Sequence, residues 1–153
     1  MLAGPENATD EQLQAIDSFK ELLEGTRDPL LRRIGETDAR NISKTDMKHL
    51  MGLLSKIFFR DGTMLLDFDW ITSRSGRVIH GEYLPPALRR PKITLSAFSY
   101  RAVPDHEHLN GRAMARLGTL LHELVHAHLD IYACRCPSFG KDVDSLNGHG
   151  LPR

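Results

Sequence analysis

The residues best suited to chemistry lie close together, in Leu120-Leu-His-Glu-Leu-Val-His-Ala-His-Leu129. His122, Glu123 and His126 form the pattern His-Glu-x-x-His inside a run whose apolar spacing predicts a helix. Residues four apart lie on the same side of a helix, so both imidazoles can bind one metal ion. Glu123 projects to one side of that pair, where a carboxylate can take a proton from water without binding the metal. The pattern predicts a metal site with its own general base.

The context of the pattern favours function over chance, although eight histidines and twenty acidic residues could produce the five residues accidentally. Gly118, one turn before His122, costs helix stability but leaves room for a ligand to approach the backbone. If His122 faces the front of the helix, an apolar stripe of helical period falls on its rear, formed by Leu117, Leu120, Leu124, Ala127 and Ile131.

A catalytic zinc ion needs a third protein ligand and an open fourth position. The candidate is His149 in Asn147-Gly148-His149-Gly150, because flanking glycines permit the backbone turns that bring a loop histidine back to a helix. Leu120-Leu-His-Glu-Leu-Val-His-Ala followed by Gly148-His149-Gly150 resembles the SprT-like zinc metallopeptidases, the family of the Spartan DNA–protein crosslink protease. The upstream strand region, through Pro91-Lys-Ile-Thr-Leu-Ser96, resembles the family more weakly, so the likeness covers roughly residues 50 to 150.

The resemblance implies a zincin-like fold and a metallopeptidase that acts on proteins, including proteins bound to DNA. It implies Zn²⁺ as the cofactor, with His122, His126 and His149 as ligands and Glu123 as the general base. Composition predicts an intracellular protein, and the resemblance further implies that it is located in the nucleus. The chain departs from the family after His149, where Gly150-Leu-Pro-Arg153 offers no aromatic residue or further helix.

Length and composition predict one soluble, intracellular domain. The chain has 153 residues, of which 41% are hydrophobic, enough for one core. Residues 1–8 have the character of a loose tail, and residues 9–153 are expected to form the domain. Basic and acidic residues both number 20, which argues against strong general affinity for nucleic acid. No run spans a bilayer and no signal peptide is evident, so a membrane partner is not expected.

The order of elements predicts an α+β fold. A capping box at Thr9-Asp-Glu-Gln12 begins a first helix, and Pro29 begins a short turn of helix that Gly35 ends. Ser43 begins another helix that ends near Arg60. Three short strands follow at 64–70, 77–83 and 92–97, expected to form a small, mostly antiparallel sheet. A long helix from about 110 to 132 carries the histidines, and residues 134–150 form the loop that returns His149.

The other reactive residues have structural explanations as good as functional ones. Cys134 and Cys136 are one close pair, whereas a structural zinc site of cysteines wants two separated pairs. His128 falls on the rear of the helix and is expected to be a partly buried structural histidine. Lys92-Ile-Thr-Leu-Ser96 is either the strand edge that binds an extended substrate or a central strand. Further residues without a firm role are His49, His80, His106, His108, Tyr100 and Tyr132, and a locally basic set of Arg74, Arg77, Arg89, Arg90 and Lys92.

Three functions are compatible with this sequence. The leading hypothesis is peptide-bond hydrolysis at zinc, with Glu123 passing a proton from water to the leaving amine. The second is a zinc-stabilised binding module without useful proteolysis, suggested by the chain's ending soon after His149. The third is a secreted metallopeptidase that acts on foreign proteins, which the neutral charge does not oppose.

Overall fold

The fold combines four helices with a small three-stranded sheet, which confirms the α+β class. The computed structural model describes residues 8–25, 27–60, 65–72, 79–86, 90–98 and 108–132. Most of the expected tail and the whole segment 133–153, with the expected return loop, lie outside these residues. In chain order the elements are α1 (Asp10–Glu24), α2 (Leu30–Ile34), α3 (Lys44–Phe59), β1 (Asp67–Ile71), β2 (Gly81–Leu84), β3 (Lys92–Ser96) and α4 (Leu109–Tyr132).

The ends of the first three helices follow local sequence signals. Thr9 and Gln12 form the capping box of α1, each side chain accepting a hydrogen bond from the backbone of the other residue. The Ser43 side chain accepts from the Asp46 amide at the start of α3. At the end of α3, Arg60 adopts a left-handed conformation with φ 56°, which stops the helix. These predicted boundaries are confirmed to within a residue or two.

The sheet is mixed, with β3 in the centre, which makes one sequence expectation wrong and decides between two alternatives that the sequence left open. β1 pairs with β3 in parallel, and β2 pairs with β3 antiparallel, so the sheet is not mostly antiparallel. Lys92–Ser96 is flanked on both sides and is therefore not the substrate edge. β3 lies in the centre because its apolar side chains are buried. Ile93 and Leu95 are 0% and 1% exposed, as is usual for a central strand.

β1 and β2 also begin later than the sequence predicts, at Asp67 and Gly81, whereas β3 begins at Lys92 as predicted. The Asp67 amide donates to the Pro91 carbonyl at 2.9 Å, where the ladder between β1 and β3 starts. Proline has no amide hydrogen, so Pro91 cannot continue the ladder towards Leu65 and Leu66. Leu66 is nevertheless buried, at 7% exposure, and it joins the core without strand pairing. The apolar character of Leu66 alone could not distinguish a residue paired in a strand from a core residue outside the strand.

One hydrophobic core joins the helices to the sheet. Its fully buried side chains come from α2, α3, β3 and α4, together with Ile42 before α3: Leu30, Ile34, Ile42, Met47, Leu50, Ile93, Leu95, Leu120 and Leu124. Burying such side chains is the main stabilising contribution to a domain of this size. Within the described part of the chain, no helix is both long and apolar enough to cross a membrane.

Two arginines of α4 hold that helix against the end of α2. The Arg116 guanidinium donates hydrogen bonds to the carbonyls of Ile34, Glu36 and Ala97, and Arg112 donates to the Gly35 carbonyl. The last carbonyls of a helix have no partner within it, so the arginines supply donors to the carbonyls at the end of α2. The Ala97 carbonyl also accepts from the Ala39 amide. Burial, more than the nearby charge of Arg112, lowers the pKa of Arg116 to about 10, so it remains charged at neutral pH.

Candidate functional site

The histidine pair lies on the solvent side of α4, with its ring nitrogens turned towards each other. The Nε2 atoms of His122 and His126 are 3.0 Å apart, and the ring planes lie at 80°. His122 is exposed and His126 is half-buried, so a ligand from solvent can reach both. Two zinc ligands at the usual distance of about 2.1 Å are roughly 3.4 Å apart in tetrahedral geometry. The pair therefore fits two positions of a zinc site, and the same distance fits a hydrogen bond between the rings.

Glu123 lies on the buried side of the same turn, with its side chain only 7% exposed. Among the residues that the structure describes, none forms a hydrogen bond or ion pair with its carboxylate. Buried charged groups are normally paired, as Arg116 on the same helix is. The fold therefore does not use the Glu123 carboxylate, which leaves its oxygens able to accept a proton from a ligand or from water.

The third expected zinc ligand cannot be placed with the first two. His149 lies outside the described residues, and so do Cys134, Cys136, His106 and Tyr100. Over the described ranges alone, no group of three or more histidine, cysteine, aspartate or glutamate side chains could hold a metal ion. The structure thus brings together two of the three expected ligands and sets the expected base beside them.

The rear of α4 packs into the core as expected, except at its last turn. Leu120, Leu124 and Ala127 are 0% exposed, and Leu117 packs against the same core. Ile131 was expected to continue this stripe, but it is 39% exposed. The buried stripe stops at Ala127, so the described core does not extend to the last turn of α4.

His128 is a structural residue, as the sequence indicates. It is half-buried, and its ring stacks on Phe59 of α3 with centroids 4.5 Å apart and planes 15° apart. Its Nδ1 is buried and has no hydrogen-bond partner among the described residues. The ring of Tyr132, which is 49% exposed, also packs against His128, with centroids 4.8 Å apart. These contacts join the end of α3 to α4 and give His128 a role away from the histidine pair.

β2 is the strand beside α4 at the edge of the described sheet. Gly81 allows the close approach, because a Cβ there would lie 2.7 Å from Thr119 Cγ2 and 2.8 Å from Leu95 Cδ2. Further along, the Tyr83 hydroxyl donates to the Asp130 carboxylate at 2.8 Å. Thr119 and Asp130 lie on either side of the histidines in the sequence, so β2 runs alongside the part of α4 that carries them.

Replacing Gly81 by Ala should lower the free energy of unfolding by about 1–2 kcal/mol, because the added methyl forces Thr119 and Leu95 to move. Gly52→Ala on α3 is the matched control, since a Cβ there meets nothing within 4 Å. That variant should gain up to about 1 kcal/mol from helix propensity. Urea unfolding measures both changes, and a Gly81→Ala protein as stable as the parent would show that the strand can shift away from α4.

Charged and concave surfaces elsewhere do not converge on the histidines. Of the locally basic set, Arg90 and Lys92 are described, and Lys92 lies 3.9 Å from the carboxylate of Asp69. A polar groove of about 720 Å³ lies between α1 and α3, and His49 is among its lining residues. None of those lining residues belongs to α4, so the groove is separate from the candidate site.

Sequence reasoning missed the two residues that fix α4 and the edge strand in place. The sequence around Arg116 does not indicate that it is buried, because its hydrogen-bond partners lie far away in the chain. For Gly81 the sequence gives a weak indication, since a glycine inside a strand pattern suggests a close backbone approach.

In comparisons with known proteins, no protein-family model, curated protein or solved structure matches the chain significantly.

Proposed function

We propose that this chain is a zinc-dependent metallopeptidase that hydrolyses peptide bonds in protein substrates. The observation that carries the proposal is the convergence of the His122 and His126 Nε2 atoms, 3.0 Å apart, beside the buried carboxylate of Glu123. His149 is proposed as the third ligand on the strength of the Gly148-His149-Gly150 motif. The order of the two motifs also supports membership of the SprT-like family and a zincin-like fold.

The residues of this chain divide the work between binding and proton transfer. The two α4 histidines are neutral nitrogen ligands, which zinc prefers together with carboxylates and thiolates. Zinc, when bound, acts as a Lewis acid that polarises the scissile carbonyl and lowers the pKa of water. Glu123 accepts the proton of the attacking water and delivers it to the nitrogen of the leaving amine. Its lack of a described protein partner keeps its oxygens available for both transfers.

The substrate is proposed to bind along β2. An extended peptide can add to the edge of a sheet through backbone hydrogen bonds. Among the described strands β2 pairs only with β3, and the Gly81 and Tyr83 contacts hold it beside α4. A peptide added to β2 would therefore pass close to the histidines. Proteins bound to DNA, and a nuclear location, enter this proposal through the motif resemblance alone.

Zinc content and proteolysis together test the function. The purified chain should bind about one zinc ion, measured by mass spectrometry of the metal, and should digest casein or histones. Phenanthroline should stop digestion, and added zinc should restore it. His126→Ala should weaken zinc binding by more than about 100-fold, since even outer-shell changes cost up to that much.

The control is His49→Ala, which removes an exposed histidine of α3 outside the site and should change neither zinc content nor digestion. Tight zinc binding without digestion of any protein would instead establish the zinc-stabilised binding module. If the parent chain binds no zinc, it is neither a zinc peptidase nor a zinc-stabilised binding module.

A further inference from the structure

Gly118 is a glycine in the middle of α4 for which the fold gives no packing reason. It lies one turn before His122 and is exposed, and a Cβ built on it would meet nothing within 4 Å. Gly81 and Gly35 differ, because a Cβ at either position would collide with neighbouring atoms. A glycine inside a helix lowers its stability, so among the described residues the missing side chain at position 118 has a cost without a structural return. Gly52 in α3 has the same open space, but Gly118 differs in lying one turn from the histidine pair.

The surroundings of Gly118 are apolar and face solvent. Met114 is 65% exposed and Val125 is 40% exposed. Both lie on the same side of α4 as Gly118, being four residues before it and seven after it. His122 is about 6 Å further along the helix axis and is exposed on the neighbouring side. The bare backbone of Gly118 therefore lies within an exposed apolar strip that reaches the histidine pair.

We propose that Gly118 determines substrate specificity. Resting on the proposed peptidase function, the inference is that the open space over Gly118 receives a large apolar side chain from a substrate residue adjoining the scissile bond. Met114 and Val125 supply apolar surface on either side, and the flexible methionine adapts to side chains of different shape. A side chain on residue 118 would occupy this space itself. The substrate class is thus proteins cut beside leucine, methionine or phenylalanine.

The test compares Gly118→Ala and Gly118→Leu with the parent chain on peptides that vary at the two positions flanking the scissile bond. The parent should cut peptides with leucine, methionine or phenylalanine at one of these positions with a kcat/KM about 10-fold or more above that for glycine. Gly118→Ala should reduce this preference, and Gly118→Leu should abolish it, while cleavage of the glycine peptides changes little.

Gly118→Ala should increase the stability of the protein while it reduces the preference for large apolar side chains. Gly118→Ala should raise Tm by about 2–4 °C, because alanine favours a helix. Gly52→Ala should raise Tm similarly, since it also removes a glycine with no Cβ contact from a helix. It should leave the peptide preference unchanged. A loss of selectivity in the more stable Gly118→Ala protein cannot then be ascribed to unfolding.

Measuring peptide binding tests the role of Gly118 independently of whether the protein hydrolyses peptides. The same labelled peptides are titrated into zinc-loaded Glu123→Gln protein with Gly118 intact, and then with Gly118→Leu added. Loss of preferential binding of the large apolar peptides supports the inference even if the parent hydrolyses nothing. No preference in the parent chain, or an equal preference in the Gly118→Leu protein, would overturn it even if hydrolysis is established.

Discussion

Glu123→Gln should lower the rate of peptide hydrolysis by about 10²–10⁴-fold, the usual contribution of a general acid–base residue. The amide keeps the size of the side chain but cannot accept a proton from water. Its effect on the fold should be small, because no described residue forms a hydrogen bond or ion pair with the carboxylate. Burying a neutral amide also costs less than burying a charge. Zinc content should therefore stay the same, and Tm should stay the same or rise.

Initial rates on a fluorogenic peptide, with zinc content and Tm measured on the same samples, check this expectation. The matched control is Glu21→Gln, an identical change at an exposed glutamate of α1. It should leave all three quantities at parent values. Full activity in the Glu123→Gln protein would exclude this residue as the base. Loss of zinc together with activity would point to Glu123 as a metal ligand.

Arg116→Met should destabilise the protein by about 3–5 kcal/mol, because it removes the guanidinium donor from the carbonyls of Ile34 and Glu36 and one of the two donors of the Ala97 carbonyl. Methionine fills similar volume and follows the same path through the core, so the loss comes from unpaired acceptors more than from a cavity. The side chain is 7% exposed, and water cannot easily replace it. The measurement is urea unfolding in the presence of chelator, so that zinc does not contribute to the difference.

Arg112→Met provides the comparison on the same helix. Arg112 is half-buried where Arg116 is buried, and within the described residues it donates to the Gly35 carbonyl, so the loss of that bond should cost less, about 1 kcal/mol. Equal, small losses in the two variants would mean that the carbonyls beneath Arg116 find other donors. Both variants remove the same charge, so the difference between them reports the deeper burial and the additional described hydrogen bonds of Arg116.

The sequence predicted best the features that depend on neighbours along the chain. The Thr9 capping box, the Ser43 cap and the helical spacing of His122 and His126 each involve residues within one turn of each other. Their geometry is set by the helix itself, so a pattern of residue types is enough to predict it. The expected position of Glu123 beside the two histidines follows from the same regularity.

The features that the sequence did not predict depend on contacts between distant residues. The central position of β3 requires both β1 and β2 to pair with it, and either order of strands suits the same apolar pattern. An arginine is normally found at the surface, and Arg116 is buried because it meets the carbonyls of Ile34, Glu36 and Ala97, which lie far away in the chain. The exposure of Ile131 depends on where the core ends, which helical spacing does not encode.

The hydrogen bonds of Arg116 and Arg112 have a consequence for how the protein acquires its metal. They position α4 by contacts within the protein alone, and they involve side chains on earlier turns of the helix than the histidines. The two imidazoles are therefore preorganised before any ion arrives. An ion entering such a site does not have to order the helix, so the free energy of binding is not spent on folding it. Circular dichroism of the chelated protein should consequently retain the helical signal of the zinc-loaded form.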